Sequence, residues 1–298
     1  MRTVLLRRGA RVAAVTALAF ATVLGGVATA DGGHHDHAPK PIEVSIGASG
    51  IDAPESAPGG LAAFHVRTDD PKGRQLQLFR PHAGVSLDTV FADLTKAVSS
   101  KDPKRTAKGI SAFTDEAEAL GGAFVTPAVP ETFTTSITAG RVVLLDFTAF
   151  FKDQAHPVFR TLNLRGGSDG DLAEFPDSIV ITQETAAGPR FDVNGLHKAK
   201  DAILVHNASD ELHEMQLQPV APGTTDAKLK KFFDSAASGP PPFTGPALGL
   251  GAISHGRTAL LRAHGLPPGT YALLCFIPDD KKGVPHAFEG MHKVVVLS

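Results

Sequence analysis

Four side chains toward the C-terminal end have the right types to hold a redox metal: His213, Cys275, His286 and Met291. Two imidazoles, a thiolate and a thioether suit copper, because soft sulfur favours Cu(I) while imidazole accepts both Cu(I) and Cu(II). A trigonal His–His–Cys plane with a long axial Met takes one ligand from a distant strand and three from one loop. The residue order supplies this, with His213 standing apart and Cys275-Phe-Ile-Pro-Asp-Asp-Lys-Lys-Gly-Val-Pro-His286-Ala-Phe-Glu-Gly-Met291 carrying the rest. Cys275 is the single cysteine, so no intrachain disulfide forms, and a lone thiol in an exported chain is protected either by a metal or by burial. Two plainer readings stay open: Cys275 as a small buried hydrophobe ending the strand Tyr271-Ala-Leu-Leu, and Met291 as a filler of a core gap. His292 and Glu214 are the alternative ligands.

At these residues the chain resembles the cupredoxin, or blue copper, family of plastocyanin and azurin. Asn207 stands six positions before His213, and four residues separate His286 from Met291, as in the plastocyanin pattern. The segments HEMQLQ, PPGTYALLCFIPD and GVPHAFEGM resemble a group of secreted bacterial cupredoxin-like proteins. The resemblance implies one type-1-like copper ion with His213, Cys275 and His286 equatorial and Met291 axial. It also implies that Asn207 ties the two ligand loops together by hydrogen bonds. One departure concerns geometry: ten residues separate Cys275 from His286, more than the family pattern has. Loop closure grows only slowly with length, so a hairpin through Asp279-Asp-Lys-Lys-Gly283 can absorb them.

The elements that must position these residues occur twice. Ala63-Phe-His65 through Gln77 aligns without a gap on Leu204-Val-His206 through Gln218. Each copy continues through a turn into a helical stretch, Ser86 to Val98 and Thr225 to Ala237, with Ser86 and Thr225 as N-caps. Two closing strands follow in each, Ala139–Phe147 with His156–Leu164, and Pro268–Phe276 with His286–Leu297. Opening strands lie near Ile42–Ile46 and Ser178–Thr182. Short strands, dense turn signals (30 Gly, 22 Pro) and one inserted helix per copy predict an all-β chain of two tandem Greek-key sandwiches. The expected domains are 41–168 and 172–298, with a linker at Arg165–Asp171. In the first copy Lys72 takes the place of His213, Asp146 that of Cys275, and His156 roughly that of His286. A protonated lysine does not ligate, so this copy is expected to lack copper.

Residues 1–30 read as a signal peptide: Arg2, Arg7, Arg8 and Arg11, then an apolar run to Val27, then Ala28-Thr-Ala30. Its removal takes four arginines from a chain of 29 basic and 31 acidic residues and leaves a net charge of about −6. Residues 31–40 form a Gly/Pro-rich tail in which His34, His35 and His37 offer a weak site for Cu(II), Ni(II) or Zn(II). The charge balance excludes a basic nucleic-acid-binding surface, and no hydrolase, phosphate-loop or dinucleotide motif occurs. Glu116 with Glu118 and Asp279 with Asp280 read as solvated turns. Leu274 and Phe276 flank Cys275, and His35-Asp-His37 is the single His-x-His, which leaves no ligands for a trinuclear centre. The expectation is therefore a secreted or cell-envelope monomer that is not an enzyme. It would serve electron transfer or copper handling with a redox or copper-transfer partner, without membrane insertion; the alternative is a metal-free cell-envelope binding or structural module.

Overall fold

Each half of the chain places a short apolar strand beside a longer one and closes the resulting sheet with hairpins. The structure is a computed structural model that describes residues 38–168 and 170–298. The signal-peptide reading and His34, His35 and His37 lie outside the described residues. The first half comprises β1 (Ile42–Gly47), β2 (Gly50–Asp52), β3 (Ser56–Arg67), β4 (Arg74–Pro81), α1 (Leu87–Ser99), α2 (Pro103–Glu116), β5 (Ala117–Val125), β6 (Glu131–Ile137), β7 (Gly140–Asp146), α3 (Phe147–Lys152) and β8 (Phe159–Ser168). The second comprises β9 (Ser178–Thr185), β10 (Gly188–Asn194), β11 (Ile203–Asn207), β12 (His213–Pro219), α4 (Asp226–Asp234), β13 (Leu248–Ile253), β14 (Thr258–Ala263), β15 (Gly269–Leu274), one 3-10 turn (His286–Glu289) and β16 (His292–Leu297).

The pairings repeat. β1 lies parallel to β3 and antiparallel to β2, and β3 pairs with β6; β9, β11, β10 and β14 do the same. β4 sits between β5 and β7, with β8 beyond, just as β12 sits between β13 and β15, with β16 beyond. The halves meet through equivalent strands, β5 antiparallel to β13 and β6 antiparallel to β14. Both strands at the first seam are almost wholly buried, which fits their runs of small and apolar residues.

The helices differ between the halves. Ser86 caps α1, accepting from the Thr89 backbone N–H at 3.1 Å, and Val90, Phe91, Leu94 and Ala97 form its buried face. Thr225 caps α4 in the same way. The expectation of one helix per copy needs correction, because the first half has three. α2 carries its own start signal, Asp102 accepting from the Lys104 N–H at 3.0 Å with Pro103 in the first turn. It packs tightly on α1 at Gly109, where a Cβ would lie 2.5 Å from the Ala97 nitrogen. Glu116 and Glu118 are not turn residues: the first ends α2, and the second lies in β5 and pairs with Arg257 at 2.5 Å. Helices α1 and α3 pack through Val90, Phe91, Leu94 and Phe150 on Phe79, Val143 and Leu145, joined by Phe113 of α2 and by Leu212 from the second half.

Candidate metal centre

β12 begins at His213, and β15 ends one residue before Cys275. The two strands are antiparallel neighbours with Gln216 opposite Leu274, so their pairing brings the histidine and the cysteine to the same end of the sheet. The ladder between β12 and β13 shifts register between His213 and Met215, a bulge of the kind that re-aims side chains beside functional sites.

The ten residues after Cys275 form the expected hairpin. Asp279 and Val284 pair by backbone (2.9 Å), Pro278 bridges Pro285, the His286 N–H donates to Ile277 O (3.0 Å), and the Ala287 N–H donates to Cys275 O (2.8 Å). The excursion thus closes on itself and returns His286 to the cysteine. Asp279 is a buried organiser rather than a solvated turn residue: its Oδ1 accepts the N–H groups of Lys281 (2.8 Å) and Lys282 (2.6 Å). The tip at Gly283 has φ +68°, and a Cβ there would lie 1.9 Å from the Pro103 carbonyl oxygen, so the hairpin docks on the start of α2 only with glycine.

Both imidazoles turn Nδ1 toward the thiol. Cys275 Sγ lies 3.6 Å from His213 Nδ1 and 3.5 Å from His286 Nδ1, and the two rings are 4.6 Å apart. Metal–sulfur bonds of about 2.3 Å and metal–nitrogen bonds of about 2.0 Å, meeting near 110–120°, hold sulfur and nitrogen about 3.5–3.7 Å apart. The chain already has that spacing. Met291 is fully buried in the same apolar cluster as Cys275, its N–H donating to His286 O at 2.9 Å.

The electrostatics prepare the donors. Glu211 Oε2 accepts from His286 Nε2 at 3.0 Å, which places the ring proton on Nε2 and leaves the Nδ1 lone pair facing the sulfur. The same hydrogen bond holds the Glu211 carboxyl below its ordinary range. Burial, with the neighbouring His286, lowers the His213 pKa to about 3, so its imidazole is neutral and able to ligate. Burial pushes the Cys275 thiol well above its usual value, so without a metal it keeps its proton. That arrangement leaves one proton between two Nδ1 acceptors. One S–H cannot serve two converging imidazoles, and His213 Nε2 is buried with no partner among the described residues. A cation accepting three lone pairs removes the conflict at the Nδ1 side, so the residues fit a bound metal. The soft thiolate, two imidazoles and nearby thioether are the donors of a type-1 copper site.

Asn207 is fully buried, but it does not join the two ligand loops as expected. Its Nδ2 donates to Glu211 O (2.8 Å) and Ile253 O (3.0 Å), and its Oδ1 accepts from Thr182 Oγ1 (2.9 Å) and the Ser209 N–H (3.0 Å). All these partners belong to the His213 side. The crossing to the Cys275–Met291 loop is made by Glu211, which Asn207 fixes through its carbonyl. Sequence reasoning missed Glu211; an acidic residue two positions before the first ligand was its only signal. His286 is 1% exposed, so it offers no solvent edge; Glu211 covers it. Of the alternatives, Glu214 bonds the Phe276 N–H (3.0 Å) and the Gln216 amide (2.8 Å), and His292 stacks on Phe233.

The first half shows what replaces a metal at the equivalent position. Leu76 pairs with Asp146 there, and continuing the β12–β15 register sets Met215 opposite Cys275. Matching Asp146 to Cys275 therefore places Arg74, not Lys72, at the His213 position. The gapless alignment misses this by two residues because the turns before β4 and β12 differ in length. Arg74 Nη1 bonds Asp146 Oδ2 at 2.8 Å, and Asp146 Oδ1 caps α3 through the Ala149 N–H at 2.8 Å. A buried ion pair occupies the space, and His156 lies on the surface beside Asp153.

No family model matches the chain, and no curated protein matches its sequence. Solved structures similar to it include auracyanin B, 20% identical over 42% of this chain and 91% of that one, with a TM-score of 0.26. A copper nitrite reductase from Nitrosomonas europaea is 13% identical over 87% of this chain and 94% of that one, with a TM-score of 0.25. A multicopper oxidase is 11% identical over 87% and 88%, with a TM-score of 0.23. At these scores the cupredoxin-like β-sandwich description rests on the strand pairings given above. The expectation that the chain is not an enzyme is withdrawn, because the last two proteins, matched over most of the chain, are enzymes; the matches assign no activity to this chain.

Proposed function

We propose that the protein is an exported copper protein working in electron transfer or copper handling, in which His213, Cys275, His286 and Met291 would hold the copper. The observation that carries this reading is the approach of both Nδ1 atoms to Cys275 Sγ at 3.6 and 3.5 Å. A copper ion bound there would supply one-electron chemistry. The chain's own residues supply rigidity: Glu211 orients His286, the closed hairpin fixes Cys275 and His286 together, and all four donors are at most 1% exposed. Such a shell keeps the donors in place in both oxidation states, which favours fast electron exchange. The first domain, 41–168, carries no ligand set in this reading and supports the second through the seams between equivalent strands. The partner is a redox or copper-transfer protein of the cell exterior or envelope.

Loading the purified protein with Cu(II) tests the reading. An intense visible thiolate-to-copper band at one ion per chain, lost in Cys275→Ser and retained after deletion of residues 31–40, is expected. A colourless protein without stoichiometric copper would overturn it and leave the metal-free module. Loss of most bound metal on removing the tail would instead point to His34, His35 and His37.

A further inference from the structure

We propose that the cavity between the helices of the first half and the Cys275 loop of the second is a binding site for a neutral, flat, two-ring aromatic molecule that carries one hydrogen-bond donor. The cavity holds about 350 Å³. Packed cores leave few voids larger than a water molecule, and a cavity of about 150 Å³ accepts one benzene ring. The volume therefore suits two fused rings and lies at the lower end of the range for small-molecule sites.

The lining specifies the chemistry. Phe79, Phe113, Phe147, Phe151 and Phe276 supply aromatic walls, and Leu94, Val98 and Ile110 supply aliphatic ones. Among the described residues no lysine, arginine or histidine lines the cavity, which disfavours an anion. Its buried carboxyl group is Glu214, only 3% exposed. Oε1 accepts the Phe276 N–H and the Gln216 amide, while Oε2 makes no hydrogen bond among the described residues. An oxygen of a buried carboxyl group with unused acceptor capacity, facing an apolar wall, calls for a donor from the occupant. Phe151 is 54% exposed, and Val98 is half-buried; together they form an apolar lip.

The site is also built into the metal-centre backbone. Leu212 and Glu214 flank His213, Phe276 follows Cys275, and Pro285 precedes His286, and all four line the cavity. The inference nevertheless stands apart from copper, because binding is measured on the metal-free chain.

The probe is 2-naphthol, whose fluorescence is readable because the protein has no tryptophan. Saturable one-to-one binding to the full metal-free chain is expected, at a Kd of about 10–100 µM for a ligand of this size. Naphthalene-2-sulfonate, an anion, and 2-methoxynaphthalene, which lacks the donor, should each bind at least tenfold and fivefold more weakly, respectively. Val98→Phe narrows the mouth without adding an indole and should weaken 2-naphthol at least tenfold. Phe151→Ala, at an exposed position, should weaken it severalfold with an unchanged circular dichroism spectrum, and it serves if the first variant fails to fold. Absence of saturation with folded wild-type protein overturns the proposal. So does equal affinity for the sulfonate or the methoxy compound, or wild-type affinity in a folded variant.

Discussion

Glu211 is the residue whose removal tests the site most directly. It is pinned at both ends: its carbonyl accepts from Asn207, and Oε2 accepts from His286 Nε2 at 3.0 Å and from the Asp280 N–H at 3.3 Å. Glu211→Ala leaves the His286 Nε2–H without an acceptor at a position 1% exposed. An unsatisfied buried donor costs about 1–3 kcal/mol. The ring can relieve that cost by moving its proton to Nδ1, which then points at Cys275 and blocks ligation. Either route weakens copper binding by about 10–100-fold, the usual range for losing a histidine's outer partner. Glu211→Gln keeps a carbonyl acceptor and loses the charge. Since charge-assisted hydrogen bonds are about twice as strong as neutral ones, this variant should lose about tenfold or less. The assay is competition for Cu(I) against a chromophoric chelator at fixed pH, with thermal unfolding of the metal-free proteins as the check on folding. The expected order of affinity is wild type, Gln, Ala. An Ala variant that folds and matches the wild-type affinity within about twofold would refute the argument that Glu211 sets the tautomer of His286.

Four further outcomes follow from the same geometry. Arg74→Met strands Asp146 in the interior and should cost about 3–5 kcal/mol in chemical denaturation, while adding Asp146→Asn, which preserves the cap on Ala149, should recover most of the loss. Because burial keeps the Cys275 thiol protonated, copper loading should release its proton, and apparent affinity should rise about tenfold per pH unit between pH 6 and 8, read by titration calorimetry in buffers of different ionisation enthalpy. Gly283→Ala places a methyl group against the Pro103 carbonyl in left-handed backbone; it should destabilise by at least about 1–2 kcal/mol and raise hydrogen exchange in the 277–286 hairpin. Glu131 is fully buried with its carboxyl pKa raised by burial, so its contribution is fully present below the ordinary carboxyl range and is lost as pH climbs from there through the raised value; Glu131→Gln should flatten the fall in melting temperature over that climb, and an unchanged slope would sink this assignment.

Donor types, their order and the internal repeat were legible along the chain, because chemical class and strand alternation are local properties. The two opening strands, the caps at Ser86 and Thr225 and the hairpin after Cys275 all follow from neighbouring residues. Residues 103–116 illustrate a local signal left unread: Asp102-Pro103 is a helix start, yet it followed a region already assigned one helix. The exchange of Lys72 for Arg74 has another origin. Alignment counts residues, whereas sheet register is set by hydrogen-bond pairing, and a turn of different length shifts one against the other.

What the amino-acid order determined by itself was the identity of the donors and the twofold strand plan. Tertiary structure alone decided that Glu211 rather than Asn207 reaches across to His286, that His286 is covered rather than exposed, and that α1, α2 and α3 enclose a cavity against the Cys275 loop. Each of these depends on contacts between segments far apart in the chain. Such contacts arise where independently formed surfaces meet, and no local pattern of residues encodes the distance between them.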